Sequence, residues 1–245
     1  MATQTLALVG AAGGAGTTRL AVECGATLAR TGWEVAVLDA AYATQGLSDY
    51  VEGRVGADVT ALVTDETDLE AALYNCPVDA AGRLALAPAR APFERIARAK
   101  TIGAAERLEK HVAAAALSHD AVVVDTPPVA ANQAVSAVTV ADRVTVVTPD
   151  TPRGADALAR IRGRLADVGT GADAVVANFA GGETAVQGAD ARVPESATAA
   201  PTACPTCVPP EETFAPAVAD AVEAALNVSL DLEFGGSRLD RLFGR

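Results

Sequence analysis

Residues 5–20 read TLALVGAAGGAGTTRL, and this stretch decides the fold. Residues 5–10 form a short apolar run that stops at glycine, which suits a buried strand. From residue 17 onward the spacing is helical, and Thr31 and Gly32 break it. A loop of glycine and alanine joins the two. Such a loop lets backbone N–H groups turn inward on a phosphate, and the helix that follows offers its positive end. A hydroxyl at the helix start can ligate a divalent cation. Thr18 stands there.

Outward from the loop, the chain alternates. EVAVLD (34–39), residues 83–87, DAVVVD (120–125), RVTVVT (143–148) and ADAVVAN (172–178) read as strands. Residues 45–53 and 65–76 read as short helices, and residues 106–117, 153–168 and 213–226 as longer ones. Residues 181–212 read as an irregular loop insertion and residues 227–245 as a tail. Strands alternating with helices predict an α/β three-layer sandwich, a mostly parallel central sheet with helices on both faces. The expected division is one domain over 1–226 followed by the tail. Ligands of such sheets sit at the carboxyl ends of the strands. The glycine loop, Asp39, Asp125 and Asn178 all fall at strand carboxyl ends. Each also has a plain reading: Asp125 beside Pro127 and Pro128 can cap a turn, and Asn is common at turns.

The composition narrows the function classes. Half of the 245 residues are apolar but only 4% are aromatic, so Ala, Val and Leu build the core. That apolar content excludes disorder of the whole chain. No run of eighteen apolar residues occurs, which excludes a spanning helix. No basic segment precedes an apolar one at the start, so we expect no secretory signal and a cytoplasmic, reducing location. The net charge of −12 gives no global support for gripping nucleic acid, and no direct nucleic-acid partner is expected. Of nineteen basic residues only Lys100 and Lys110 are lysines. This acidic, Lys-poor, Ala-rich composition resembles that of haloarchaeal proteins, in which concentrated salt screens the surface charge.

The loop resembles the deviant Walker A motif, KGGxGK[ST], of MinD/ParA-type P-loop ATPases. Gly13, Gly14 and Gly16 keep its glycines, Ala15 its variable position and Thr18 its Mg²⁺-binding hydroxyl. Ala12 stands in place of the signature lysine and Thr17 in place of the P-loop lysine, so the Walker A is degenerate. EVAVLDAAYATQGLSDYVEG (34–53) resembles the second strand and switch I of the family, with Asp39 as the first aspartate of D-x-D and Ala41 at the second. DAVVVDTPP (120–128) resembles the Walker B strand, with Asp125 as its acid. Asn178 falls on the residue that contacts adenine, and VPES (193–196), with Pro194, resembles the loop against the base. The likeness spans residues 4–226. It implies ATP and Mg²⁺ as ligands, bound by Gly13, Gly14, Ala15, Gly16, Thr17 and Thr18, with Asp39 and Asp125 about the cation.

A charged hydrogen bond contributes about 1.5–3 kcal/mol, so one missing lysine predicts roughly ten- to a hundredfold weaker binding. A missing preorganised donor costs about 10²–10³ in rate, and two lysines and an aspartate are absent together. The expectation is therefore weak binding without turnover; an empty relic loop and a competent ATPase are the alternatives. Arg19, on the first helical turn, is expected to point away from the phosphates. Family members dimerise on ATP, so the implied partner is a second copy or an intact paralogue.

Cys204 and Cys207 make a C-x-x-C, which can supply half of a zinc or iron–sulfur site. The string CPTC resembles that of Mrp-type iron–sulfur carriers of the same fold, though here it lies beyond VPES. A plain loop pair is the favoured reading. The end of the chain, SRLDRLFGR (237–245), resembles the membrane-targeting end of MinD-type proteins, with Leu239, Leu242 and Phe243 on one helical face and Arg238, Arg241 and Arg245 around them. This implies a peripheral contact with a membrane surface. Leu230, Leu232 and Phe234 alternate with Asp231 and Glu233, which suggests an edge strand or a partner contact. The function classes at this point are a positioning or partitioning switch, a non-hydrolysing scaffold, and a metal carrier.

Overall fold

The computed structural model describes residues 3–234. Its elements in chain order are β1 (Gln4–Gly10), α1 (Thr17–Arg30), β2 (Glu34–Asp39), α2 (Val59–Val63), α3 (Leu69–Ala72), β3 (Tyr74–Cys76), β4 (Arg83–Ala87), α4 (Phe93–Ala99), α5 (Ile102–Ala116), β5 (Ala121–Thr126), α6 (Asn132–Val140), β6 (Arg143–Pro149), α7 (Pro152–Asp167), β7 (Ala174–Asn178), β8 (Ala191–Val193) and α8 (Phe214–Leu226). Short 3₁₀ turns cover Gly46–Tyr50 and Pro201–Ala203.

The eight strands form one sheet in the order β3-β4-β2-β5-β1-β6-β7-β8. All pairings are parallel except β3 with β4. β1 lies at the centre, between β5 and β6, so the glycine loop opens in mid-sheet. Strand side chains alternate between two covered faces. Leu6, Leu8, Val35, Val37 and Val123 pack under α1 and α8. Ala36, Leu38, Val122 and Val124 pack under α2, α4 and α5, and Ala7, Val9, Val144 and Val146 under α7. Burial on both faces is why these strands read as continuous Val/Ala/Leu runs. Helix starts carry ordinary caps: Asp58 accepts from the Ala61 N–H, Thr101 from Ala104 and Thr151 from Gly154.

Several local expectations change. The helix expected over 65–76 is only the single turn Leu69–Ala72, and Tyr74–Cys76 is an edge strand. Tyr74 pairs with Leu86, and its hydroxyl accepts from the Gly56 and Ala57 N–H groups. Those long-range bonds outweigh a helical spacing that four residues cannot sustain alone. The helix expected over 45–53 is a 3₁₀ turn. α5 begins four residues before the expected 106, where Thr101 caps it. Helices α2, α4 and α6 were not legible as elements. The region 181–212 contains β8, which extends the sheet beside β7.

Residues 230, 232 and 234 do not form a strand. Leu230 is buried, Leu232 and Phe234 pack on the α1/α8 core, and the Arg30 guanidinium lies 4.6 Å over the Phe234 ring. Arg30 Nη2 donates to the Glu233 carbonyl at 3.0 Å. Leu239, Leu242 and Phe243 lie outside the described residues. Among the described residues no helix is long and apolar enough to cross a membrane.

Candidate nucleotide site

The loop leaves β1 by a strand-like bond, Ala11 N–H to the Val147 carbonyl at 2.8 Å. Gly14 (φ +78°) and Gly16 (φ +80°) then take left-handed conformations. At Gly16 only glycine fits, because a Cβ there would stand 2.3 Å from Asn178 Nδ2. Gly16 is also the N-cap of α1 and brings no side chain to it, so the first-turn amides have no side-chain acceptor. These are the groups that receive an anion. Gly13 and Gly14 are exposed, whereas Ala15 is buried.

Asn178, at the end of β7, is 3% exposed, and its Nδ2 donates to the Ala15 carbonyl at 2.9 Å. Asn178 thus braces the glycine loop directly. Thr17 stands over the end of β1, with its Oγ1 2.6 Å from where a Gly10 Cβ would lie.

Thr18 Oγ1 donates to Asp125 Oδ2 at 2.6 Å. Asp39 lies in register with Asp125 on the neighbouring strand. Asp39 accepts from the Ala41 N–H at 2.7 Å and the Ala89 N–H at 3.1 Å. Both carboxyls are buried. Burial pushes each above the ordinary carboxylate range, and the charge of Asp125 adds to the effect on Asp39. Thr18 and Asp125 line the cleft below the glycine loop, with the buried Asp39 carboxyl in register on the next strand, and these oxygen donors fit Mg²⁺. Ala41, at the second switch position, brings no carboxylate.

These shifts have a pH signature. A carboxyl with a raised folded pKa contributes stability below the ordinary value near 4, and that contribution is lost as pH rises through the folded value. The protein without Mg²⁺ is therefore expected to lose stability between about pH 5 and pH 8. Asp39→Asn, which removes the charge, flattens that slope. Urea unfolding across this range at constant salt checks it, and equal slopes for the two proteins would rule the account out.

Two adjoining cavities meet at this loop. The phosphate-side cleft, about 320 Å³, runs along residues 12–19 to Thr44, Asp125, Thr126 and Pro128. The base-side groove, about 180 Å³, is lined by Asn178, Phe179, Pro194, Ser196, Thr198 and Phe214. Gly16, Arg19 and Tyr50 line both. Tyr50, Phe179 and Phe214 were not singled out from the sequence; the aromatic next to Asn178 was the available signal.

Glu23, one helical turn beyond Arg19, was also missed. Its carboxylate is fully buried, ion-paired with Arg19 Nε at 2.7 Å. It also accepts from the Thr206 N–H at 2.8 Å and the Cys207 N–H at 2.9 Å. Arg19 lines both cavities and makes its bonds to Glu23 and to residues 196, 198 and 206.

The two cysteines of the pair stand in different surroundings. Cys204 Sγ donates to the Ala200 carbonyl at 3.1 Å, whereas Cys207 is fully buried beside Glu23, Thr27 and Cys24. Burial, with the Glu23 charge adding to it, holds both thiols above their ordinary pKa. That opposes the thiolate form a metal requires. No group of three His, Cys, Asp or Glu side chains among the described residues could hold a metal ion. Among the described residues, one chain supplies these two thiols and not a full zinc or iron–sulfur ligand set.

Similarity to known proteins agrees with this geometry. Residues 3–169 match the family model AAA_31, an AAA domain. No curated protein matches the chain. Among solved structures, the septum site-determining protein MinD of Pyrococcus horikoshii, complexed with Mg-ADP, has a TM-score of 0.75 at 18% identity, over 90% of this chain and 95% of that one. The MinC:MinD cell division complex of Aquifex aeolicus has a TM-score of 0.73 at 21% identity, over 96% and 100%. A single-substitution variant of Cyanothece McdA in complex with ATP has a TM-score of 0.60 at 19% identity, over 72% and 70%. With a family match over more than half its length and the MinD architecture throughout, the chain belongs to the AAA_31 family of AAA domains and has the MinD-type P-loop fold.

Proposed function

We propose that this protein is a MinD/ParA-like nucleotide-binding protein that holds ATP with Mg²⁺ through backbone and base-side contacts, turns it over negligibly, and acts as a scaffold or switch in spatial positioning, division or partitioning. One observation carries the reading: the uncapped start of α1, the Thr18–Asp125 pair and the base-side groove form one continuous site around Gly16, with Asp39 buried in register with Asp125 on the next strand. The Pyrococcus horikoshii relative is complexed with Mg-ADP and the Cyanothece relative with ATP, which supports the ligand class. When bound, Mg²⁺ supplies positive charge against the phosphates. Thr18, Asp39 and Asp125 would hold it, and the loop amides would hold the phosphates. No lysine lines either cavity and Ala41 replaces a switch carboxylate, which supports binding without hydrolysis. Calorimetry with Mg-ATP in high salt, beside a phosphate-release assay, tests the proposal. Micromolar binding with negligible release is expected; no binding overturns it.

The partner in this reading is a second copy or an intact paralogue, and the residues beyond 234 give it a membrane contact. Three apolar residues bury little surface, about 1.5–3 kcal/mol each before ordering costs, so two tails on a dimer would bind far better than one. Deleting residues 238–245 is expected to abolish co-sedimentation with anionic vesicles. Unchanged sedimentation would remove the tail as the anchor.

A further inference from the structure

Among the described residues Arg19 is the only basic side chain lining either cavity, yet its bonds run to Glu23 and to residues 196, 198 and 206 and not into the phosphate cleft. Nε pairs with Glu23 at 2.7 Å, and Nη1 donates to the Thr198 carbonyl at 2.9 Å. Nη2 donates to Ser196 Oγ at 3.2 Å and Thr206 Oγ1 at 2.8 Å. The guanidinium lies 5.5 Å from the Phe214 ring centroid. Its acceptors lie at 196, 198 and 206, on a segment whose only regular structure is the turn Pro201–Ala203. Pro194, Ser196 and Thr198 of this segment form a wall of the base-side groove.

We propose that Arg19 is a positioning residue that holds residues 194–206 against the start of α1, and so sets affinity for the nucleoside part of a bound nucleotide rather than for its phosphates. The inference rests on the nucleotide reading given above. A planar fork with donors in several directions reaches all these acceptors at once, which an ammonium cannot do. The Glu23 carboxylate is buried, so salt screens the pair little. The chain thus has its cation one residue past the loop, where it builds the groove instead of neutralising phosphate.

The test compares Mg-ATP with Mg-tripolyphosphate, a probe without a base, by calorimetry on the full chain. Arg19→Met is expected to weaken ATP binding roughly tenfold or more and to leave tripolyphosphate unchanged. Arg19→Lys keeps a charge beside Glu23 but not the fork, and is expected to show the same loss. Rescue by Lys, or equal loss for both probes, would mean that Arg19 acts as a phosphate cation and would overturn the proposal. Because Arg19→Met leaves Glu23 buried and unpaired, a second variant, Ser196→Ala with Thr206→Val, removes the Nη2 acceptors and keeps the ion pair. It is expected to weaken ATP alone, by a smaller factor; unchanged ATP affinity in this variant overturns the proposal even if Arg19→Met does not fold. Wild-type binding of tripolyphosphate but not ATP also overturns it. Binding of neither probe overturns the nucleotide reading, and this inference with it.

Discussion

Glu23→Ala is expected to lower unfolding stability by about 3–5 kcal/mol, the cost of breaking a buried ion pair from one side. For a chain of this size that is a fall of roughly 6–20 °C in Tm. The effect is large because one carboxylate serves several groups. It pairs with Arg19 and accepts the backbone N–H of both Thr206 and Cys207. Alanine leaves the guanidinium without its partner and two amides without acceptors in a site where Glu23 is fully buried. Glu23→Gln keeps an acceptor oxygen and is expected to lose less, about 1–3 kcal/mol. Thermal unfolding of both variants at constant salt checks this. Equal losses would mean that packing, and not charge, is what Glu23 contributes.

Thr17→Lys is expected to strengthen Mg-ATP binding by roughly ten- to a hundredfold, the worth of one charged hydrogen bond. Thr17 is the first residue of α1 and stands over Gly10 at the end of β1. A lysine there rises from the first turn of α1 beside the open loop amides. Turnover should stay negligible, because Ala12 and Ala41 still lack the charges that act on the transition state. Calorimetry and phosphate release measure the two effects separately. An unchanged affinity would show that the loop no longer accepts phosphate even with its cation restored, and would favour an empty relic. Restored turnover would show that the loss at residue 17 alone silences the site.

The elements that carry the site were legible for local reasons. β1, β2, β5, β6 and β7 are buried on both faces, and only continuous Val, Ala and Leu runs satisfy that. Gly14 and Gly16 sit where φ is positive, a demand that glycine meets without strain. Asp39 and Asn178 close strands and Asp125 is the last residue but one of β5, so strand ends alone place them on one edge. The short pieces between were hidden. α2 has five residues and α3 four, too few for a periodicity to register. Tyr74–Cys76 is a strand only because β4 lies beside it. The alternation of Leu230, Leu232 and Phe234 is a strand pattern by period, yet the α1/α8 core and Arg30 take these side chains instead.

What the amino-acid order determined alone is the succession of strand, glycine loop and helix, the α/β class, and the uncharged side chains of Ala12, Thr17 and Ala41. Each depends on residues within one element and its loop. Tertiary structure alone decided the strand order, the bracing of the loop by Asn178 across 163 residues, and the base-side wall. That wall is held by Arg19 bonds spanning 177 to 187 residues. The i,i+4 pair Arg19–Glu23 reads in sequence as an ordinary helix-surface pair. Folding buries it under a segment with almost no regular structure, and the unmet hydrogen-bonding demand of that segment's backbone turns the pair into its anchor.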